Sequence, residues 1–93
     1  MNGNDVIEKV QTTAELLYQN REQEGISAVS ELITQFQNIL QDLSEEQMNM
    51  AGSFGVLMLK ELLDAYQSRN MLAMADCLME KSILFIQFIY QEN

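Results

Sequence analysis

Glu61 with Asp64, and Asp76 with Glu80, are spaced so that a helix places each pair on one face. Paired carboxylates of that kind are the raw material of a weak calcium or magnesium site. Neither pair stands on a glycine-containing loop able to wrap a hard cation, and Lys60 and Lys81 lie next door to relieve the repulsion. Solvated acids on polar helix faces are therefore the stronger reading. The single cysteine, Cys77, is the one thiol nucleophile available. It falls among apolar neighbours, where a thiol behaves as a small hydrophobe, and the nearest cation in sequence, Lys81, is about one turn away. Histidine is absent. That removes the commonest general base and the commonest metal ligand together, and with them histidine-served serine nucleophiles, zinc sites and the paired Glu-x-x-His sets of di-iron bundles. No glycine-rich loop links a strand to a helix, so nucleotide-phosphate motifs are missing as well. The expectation is a non-enzymatic chain with no catalytic residue, no cofactor and no metal.

Composition bounds the class of protein. A chain of 93 residues and 10.7 kDa forms one domain, 1–93, able to bury a single core without staples. Its hydrophobic fraction of 47% argues against disorder, and the absence of proline, with Leu, Met, Glu, Gln and Ala common, favours helix throughout. Five basic against 14 acidic residues give a net charge of −9. Such a surface repels nucleic-acid phosphates and anionic lipid headgroups, and it also keeps an apolar helical protein in solution. One cysteine cannot form an internal disulfide, and no charged-then-apolar leader opens the chain, so a cytoplasmic location is expected. The apolar run from Ser82 to Tyr90 is too short to span a bilayer, and lengthening it backwards brings in Asp76, Glu80 and Lys81.

The patterning predicts an all-α fold, an antiparallel up-down-up-down four-helix bundle with helices near 5–23, 27–43, 45–67 and 70–91. Asp5 and Glu8 have the spacing of a capping box for the first helix, whose stripe is Val6, Ile7, Val10, Ala14, Leu17 and Tyr18. Gly25 is placed to end it in the left-handed conformation. The second helix has the cleanest period, with Val29, Leu32, Phe36, Ile39 and Leu43 at alternating steps of three and four. Ser44 to Gln47 reads S-E-E-Q, a capping box that opens the third helix. Gly52 and Gly55 then either break that helix, with Ser53 capping its main length, or let two backbones approach closely inside a continuous helix; the continuous form is preferred. Ser68, Arg69 and Asn70 make a tight connection, with Asn70 as the cap of the fourth helix.

The fourth helix carries the strongest functional signal. On a regular helix its polar residues Asp76, Glu80, Gln87 and Gln91 occupy a strip of roughly 60°, and nearly everything else is apolar. A stripe little wider than about 100° is what one packed face requires, so this helix is expected at the centre of the bundle with part of it facing a second subunit. Cys77, Leu84, Phe85, Phe88, Ile89 and Tyr90 are the candidate interface residues, with the aromatics as anchors. Six methionines besides Met1, namely Met48, Met50, Met58, Met71, Met74 and Met79, suit either core filling or an adaptable apolar surface.

Ala65 to Glu80, AYQSRNMLAMADCLME, resembles the carboxyl-terminal hairpin of small uncharacterised helical proteins of Gram-positive bacteria. The match is carried by Asn70 and by Met74-Ala75-Asp76-Cys77-Leu78, covers roughly a fifth of the chain, and gives way at the acidic and aromatic positions beyond it. It implies a helical hairpin and no activity. Asp76, at the edge of the polar strip, is placed to cap or to bond across to a neighbouring helix. Two readings of function are open: an interaction or scaffold protein that self-associates as a homodimer through its last helix, and an export or flagellar-type chaperone holding an amphipathic helix of a client protein.

Overall fold

The computed structural model describes residues 3–90, which form four helices joined by short connections. Helix α1 is Gly3–Tyr18 and α2 is Glu22–Asp42. Helix α3 covers 45–67 as the turn Glu45–Gln47, a wider π-type turn Met48–Gly52, and Ser53–Gln67. Helix α4 covers 71–89 in the same manner: Met71–Cys77, the π-type turn Leu78–Ser82, then Ile83–Ile89. The whole measures 38 × 23 × 19 Å.

Each end has a local cause. Helix α1 stops at Tyr18 because Asn20 turns left-handed, with φ 60°. The Asn20 N–H then donates to the Leu17 carbonyl at 3.1 Å and the Arg21 N–H to the Leu16 carbonyl at 3.0 Å, the pair of bonds that closes a helix by the Schellman route. Arg69, with φ 55°, ends α3 the same way: its N–H reaches Tyr66 at 3.2 Å and that of Asn70 reaches Ala65 at 2.9 Å. At the starts, the Ser44 hydroxyl accepts from the Gln47 N–H at 3.1 Å while the Ser44 N–H donates to Gln47 Oε1 at 3.0 Å, completing the expected capping box. Asn70 Oδ1 accepts from the Ala73 N–H at 3.0 Å, as expected of a cap.

Three boundaries differ from expectation, the first being the end of α1 at Tyr18, five residues before 23, where the Asn20 turn closes it. Helix α1 is already wound at Gly3, which puts Asp5 inside it instead of at its cap. Helix α2 begins at Glu22, five residues before the expected start, and Gly25 lies within it without a positive φ. Gly25 is there for proximity. A β-carbon at 25 would stand 2.7 Å from Leu17 Cδ2, so its missing side chain is what lets α1 and α2 close on each other. Helix α3 runs through Gly52 and Gly55 without a break, Ser53 being helical, as the preferred reading has it.

The helices pack in a ring: α1 lies on α2 and α4, and α3 on α2 and α4. Cross-helix contacts join the late part of one helix to the early part of its neighbour. Arg69, just after α3, pairs with Glu22 at the start of α2, and the Gln47 side-chain amide at the start of α3 donates to the Ile89 carbonyl at the end of α4, at 2.9 Å. The core is built from Val6, Val10, Ala14 and Leu17 of α1, Val29, Leu32 and Phe36 of α2, Met58 and Leu62 of α3, and Met74, Leu78, Phe85 and Ile86 of α4. Thr13 and Ser82 are buried with them. Thr13 satisfies its hydroxyl on the Lys9 carbonyl at 2.7 Å, whereas Ser82 Oγ has no hydrogen-bond partner. No helix among the described residues is long and apolar enough to cross a membrane.

Candidate interaction surface

Helix α4 does not sit enclosed at the centre of the bundle. One face, carrying Met74, Ala75, Cys77, Leu78, Ser82, Phe85, Ile86 and Ile89, is buried against the other helices, while Leu72, Met79, Leu84, Phe88 and Tyr90 are exposed. The six candidate interface residues therefore divide. Cys77, Phe85 and Ile89 are covered by their own chain, and Leu84, Phe88 and Tyr90 remain on the surface at 43%, 46% and 40% exposure.

The division has a geometric origin. On an uninterrupted α-helix, Cys77, Leu84 and Phe88 fall on one line. The π-type turn Leu78–Ser82 lies between the first and the other two, and its wider winding rotates everything after it relative to everything before. Cys77 accordingly faces inward, its thiol pointing at the Met58 carbonyl at 3.6 Å, while Leu84 and Phe88 face out.

Helix α3 supplies a second row that the sequence pattern does not single out. Met50 and Leu57 are 66% and 65% exposed, Val56 is also exposed, and Phe54 is half-buried. Two contacts fix α3 against α4 at this surface. At one end the rings of Phe54 and Phe88 meet edge to face, centroids 6.3 Å apart and planes at 82°. At the other, Lys81 Nζ pairs with Glu61 Oε2 at 2.7 Å. In sequence Leu57 lies between the α3 members of these two contacts and Leu84 between the α4 members, so both exposed leucines stand on the stretch that the contacts bracket. The available signal was compositional: from Gln47 to Leu59 the chain carries no charged side chain at all.

The chemistry-bearing groups are otherwise engaged. Burial, and next the charge of Glu61, push the Cys77 thiol up to about 12, so it stays protonated and unreactive at neutral pH. The Glu61 carboxylate holds Lys81, whose pKa is raised by that bond. Asp76 bonds across to another helix, accepting from the Tyr18 hydroxyl at 2.8 Å, and that bond holds the Tyr18 hydroxyl above its usual range. No three of the described Cys, Asp and Glu side chains group as a cation would require. A shallow groove between α1 and α4, lined by Gln11, Ala14, Glu15, Tyr18 and Met79, offers no nucleophile and no base poised beside one.

Comparison with protein-family models, with curated proteins and with solved structures finds no match to this chain.

Proposed function

We propose that this chain is a non-catalytic interaction protein that self-associates through the exposed row of α4, with Leu84, Phe88 and Tyr90 in the contact and Cys77, Phe85 and Ile89 acting behind it as the rigid support. The observation that carries this reading is the half-exposed pair Leu84 and Phe88, on the stretch of α4 that Phe54 and Glu61 hold against α3, where Leu57 is exposed as well. Large apolar side chains exposed close together cost solubility unless something covers them. Aromatic and methionine side chains are also the types enriched at interface centres.

Light scattering over a dilution series tests it. A weight-average mass that rises with concentration from 10.7 kDa toward twice that value supports self-association. A mass fixed at 10.7 kDa across the series rejects it.

The second reading is a chaperone of the export or flagellar type, in which the same apolar surface receives an amphipathic helix of a client. The abundance of methionine favours it to the extent that thioethers adapt to more than one partner, and Met48, Met50 and Met79 are exposed. Recovery of one stoichiometric helical client on purification from the native host, with the chain itself monomeric, would favour this reading over the first. The acidic surface makes nucleic acid a poor partner under either.

A further inference from the structure

Resting on the self-association reading, we infer that a second copy of this chain covers α3 as well as α4, and that the two copies run in opposite directions so that Lys60 of each faces Glu45 and Glu46 of the other. The distribution of charge carries this. Between Glu46 and Lys60, α3 has no charged residue, and α4 has none after Lys81 through Tyr90. The contacts of Phe54 with Phe88 and of Glu61 with Lys81 lay these neutral lengths side by side. On a molecule with 14 acidic and 5 basic residues this is the place where two copies approach with least repulsion.

The ends of the neutral window are not alike. At one end stand Glu45 and Glu46; at the other stand Lys60 and the mutually neutralised pair Glu61 and Lys81, with Asp64 one turn further along α3. Lys60, Glu45 and Glu46 are exposed and make no ion pair among the described residues. A same-direction arrangement would set acids against acids and Lys60 against Lys60. An opposed arrangement about a two-fold axis sets unlike charges together twice, because in an isologous contact every pairing occurs in duplicate. Glu46 and Lys60 are separated by about 21 Å along a helix, and the midpoint between them is Ser53, beside the Phe54 and Phe88 rings. The axis therefore passes near the aromatic pair, where anchoring side chains of interfaces concentrate, and lays Leu57 over the Met50 turn of the opposite copy. The apolar surface supplies the affinity, and the rim charges supply the direction.

Sedimentation equilibrium on the full chain and its variants decides this, with circular dichroism to confirm that each remains helical. Leu57→Glu should weaken dimerisation by about 30-fold or more, since it charges the middle of the contact. Lys60→Glu should weaken it by roughly 3- to 10-fold, and less at high salt. Combining Lys60→Glu with Glu45→Lys and Glu46→Lys should recover most of the loss, which a role for Lys60 in folding alone would not produce. If Leu57→Glu and Lys60→Glu dimerise like the native chain while Leu84→Glu does not, association through α4 stands and the opposed α3 contact is wrong. Failure of the charge exchange to restore binding overturns the direction of packing. A native chain that is monomeric throughout removes the parent reading and this one with it.

Discussion

The backbone of Gly55 lies so close to the buried ring of Phe85 that a β-carbon at 55 would stand 2.7 Å from Phe85 Cζ and 2.9 Å from Leu40 Cδ2. Three helices meet at that point. Helix propensity alone favours alanine over glycine by about 1 kcal/mol, but Phe85 is fully buried and has nowhere to withdraw. Gly55→Ala should therefore destabilise the fold by about 1–3 kcal/mol, the usual cost of overpacking a filled core. Gly52 offers the contrast, since the atoms nearest its β-carbon would all belong to the side chain of Met48, a flexible thioether that is 43% exposed. Gly52→Ala should be neutral or stabilising by up to about 1 kcal/mol. Denaturant titration of the two variants reads both signs.

Ser82 presents the opposite case, a polar group the core would be better without. Its Oγ is buried with no hydrogen-bond partner of good geometry; it lies beside the Cys77 sulfur, a weak acceptor whose own proton is directed to the Met58 carbonyl. Ser82→Ala removes the desolvated hydroxyl and adds helix propensity, so a gain of about 1 kcal/mol is expected, seen as a higher melting temperature. A lower melting temperature would mean that the hydroxyl is satisfied in solution.

Arg69 holds a left-handed backbone, φ 55°, that an unbranched β-carbon tolerates poorly. The 3.9 Å pairing of its guanidinium with Glu22 is exposed and worth little. Arg69→Gly should stabilise the connection between α3 and α4 by about 0.5–1 kcal/mol. Asn70→Ala, which removes the cap of α4 at the next residue, should cost about 1 kcal/mol, and Asn70→Asp should retain most of it.

Alkaline pH should weaken the fold. An unfolded Cys77 titrates near its ordinary value of 9.0, and the native thiol is pushed up to about 12. Its contribution is complete below pH 9 and is lost as pH rises from there toward 12, because only the unfolded chain releases the proton in that window. Tyr18 and Lys81, both raised, act in the same direction. The denaturation midpoint should fall between about pH 9 and 11, and less steeply in Cys77→Ala. Native Cys77 should also resist thiol reagents at about pH 8 until the chain unfolds.

Much of this architecture is written locally. The S-E-E-Q box, the Asn70 cap and the stepped apolar residues of α2 are short-range signals, and each forms as expected. Gly25 misled because glycine has two uses, left-handed backbone and close approach; Asn20 takes the first, and Leu17 requires the second. The face presented by α4 was illegible for a different reason. A helical wheel assumes constant winding, and nothing in Leu78 to Ser82 marks the wider turn that separates Cys77 from Leu84 and Phe88. The apolar excess of α4 was real, but half of it is absorbed by α1 and α3. Leu57 and Val56 escaped notice because they lie off the buried stripe of α3, and only the neighbouring exposure on α4 gives them meaning.

If the outer face of α3 and α4 is a contact surface, Leu84→Glu is its most direct probe, since Leu84 is 43% exposed and its replacement leaves the buried core in place. Light scattering on the native chain and this variant, at the highest matched concentration each tolerates, should give about twice 10.7 kDa for the first and 10.7 kDa for the second, with the same helical circular dichroism. Equal masses for the two, whether both single or both double, would contradict it.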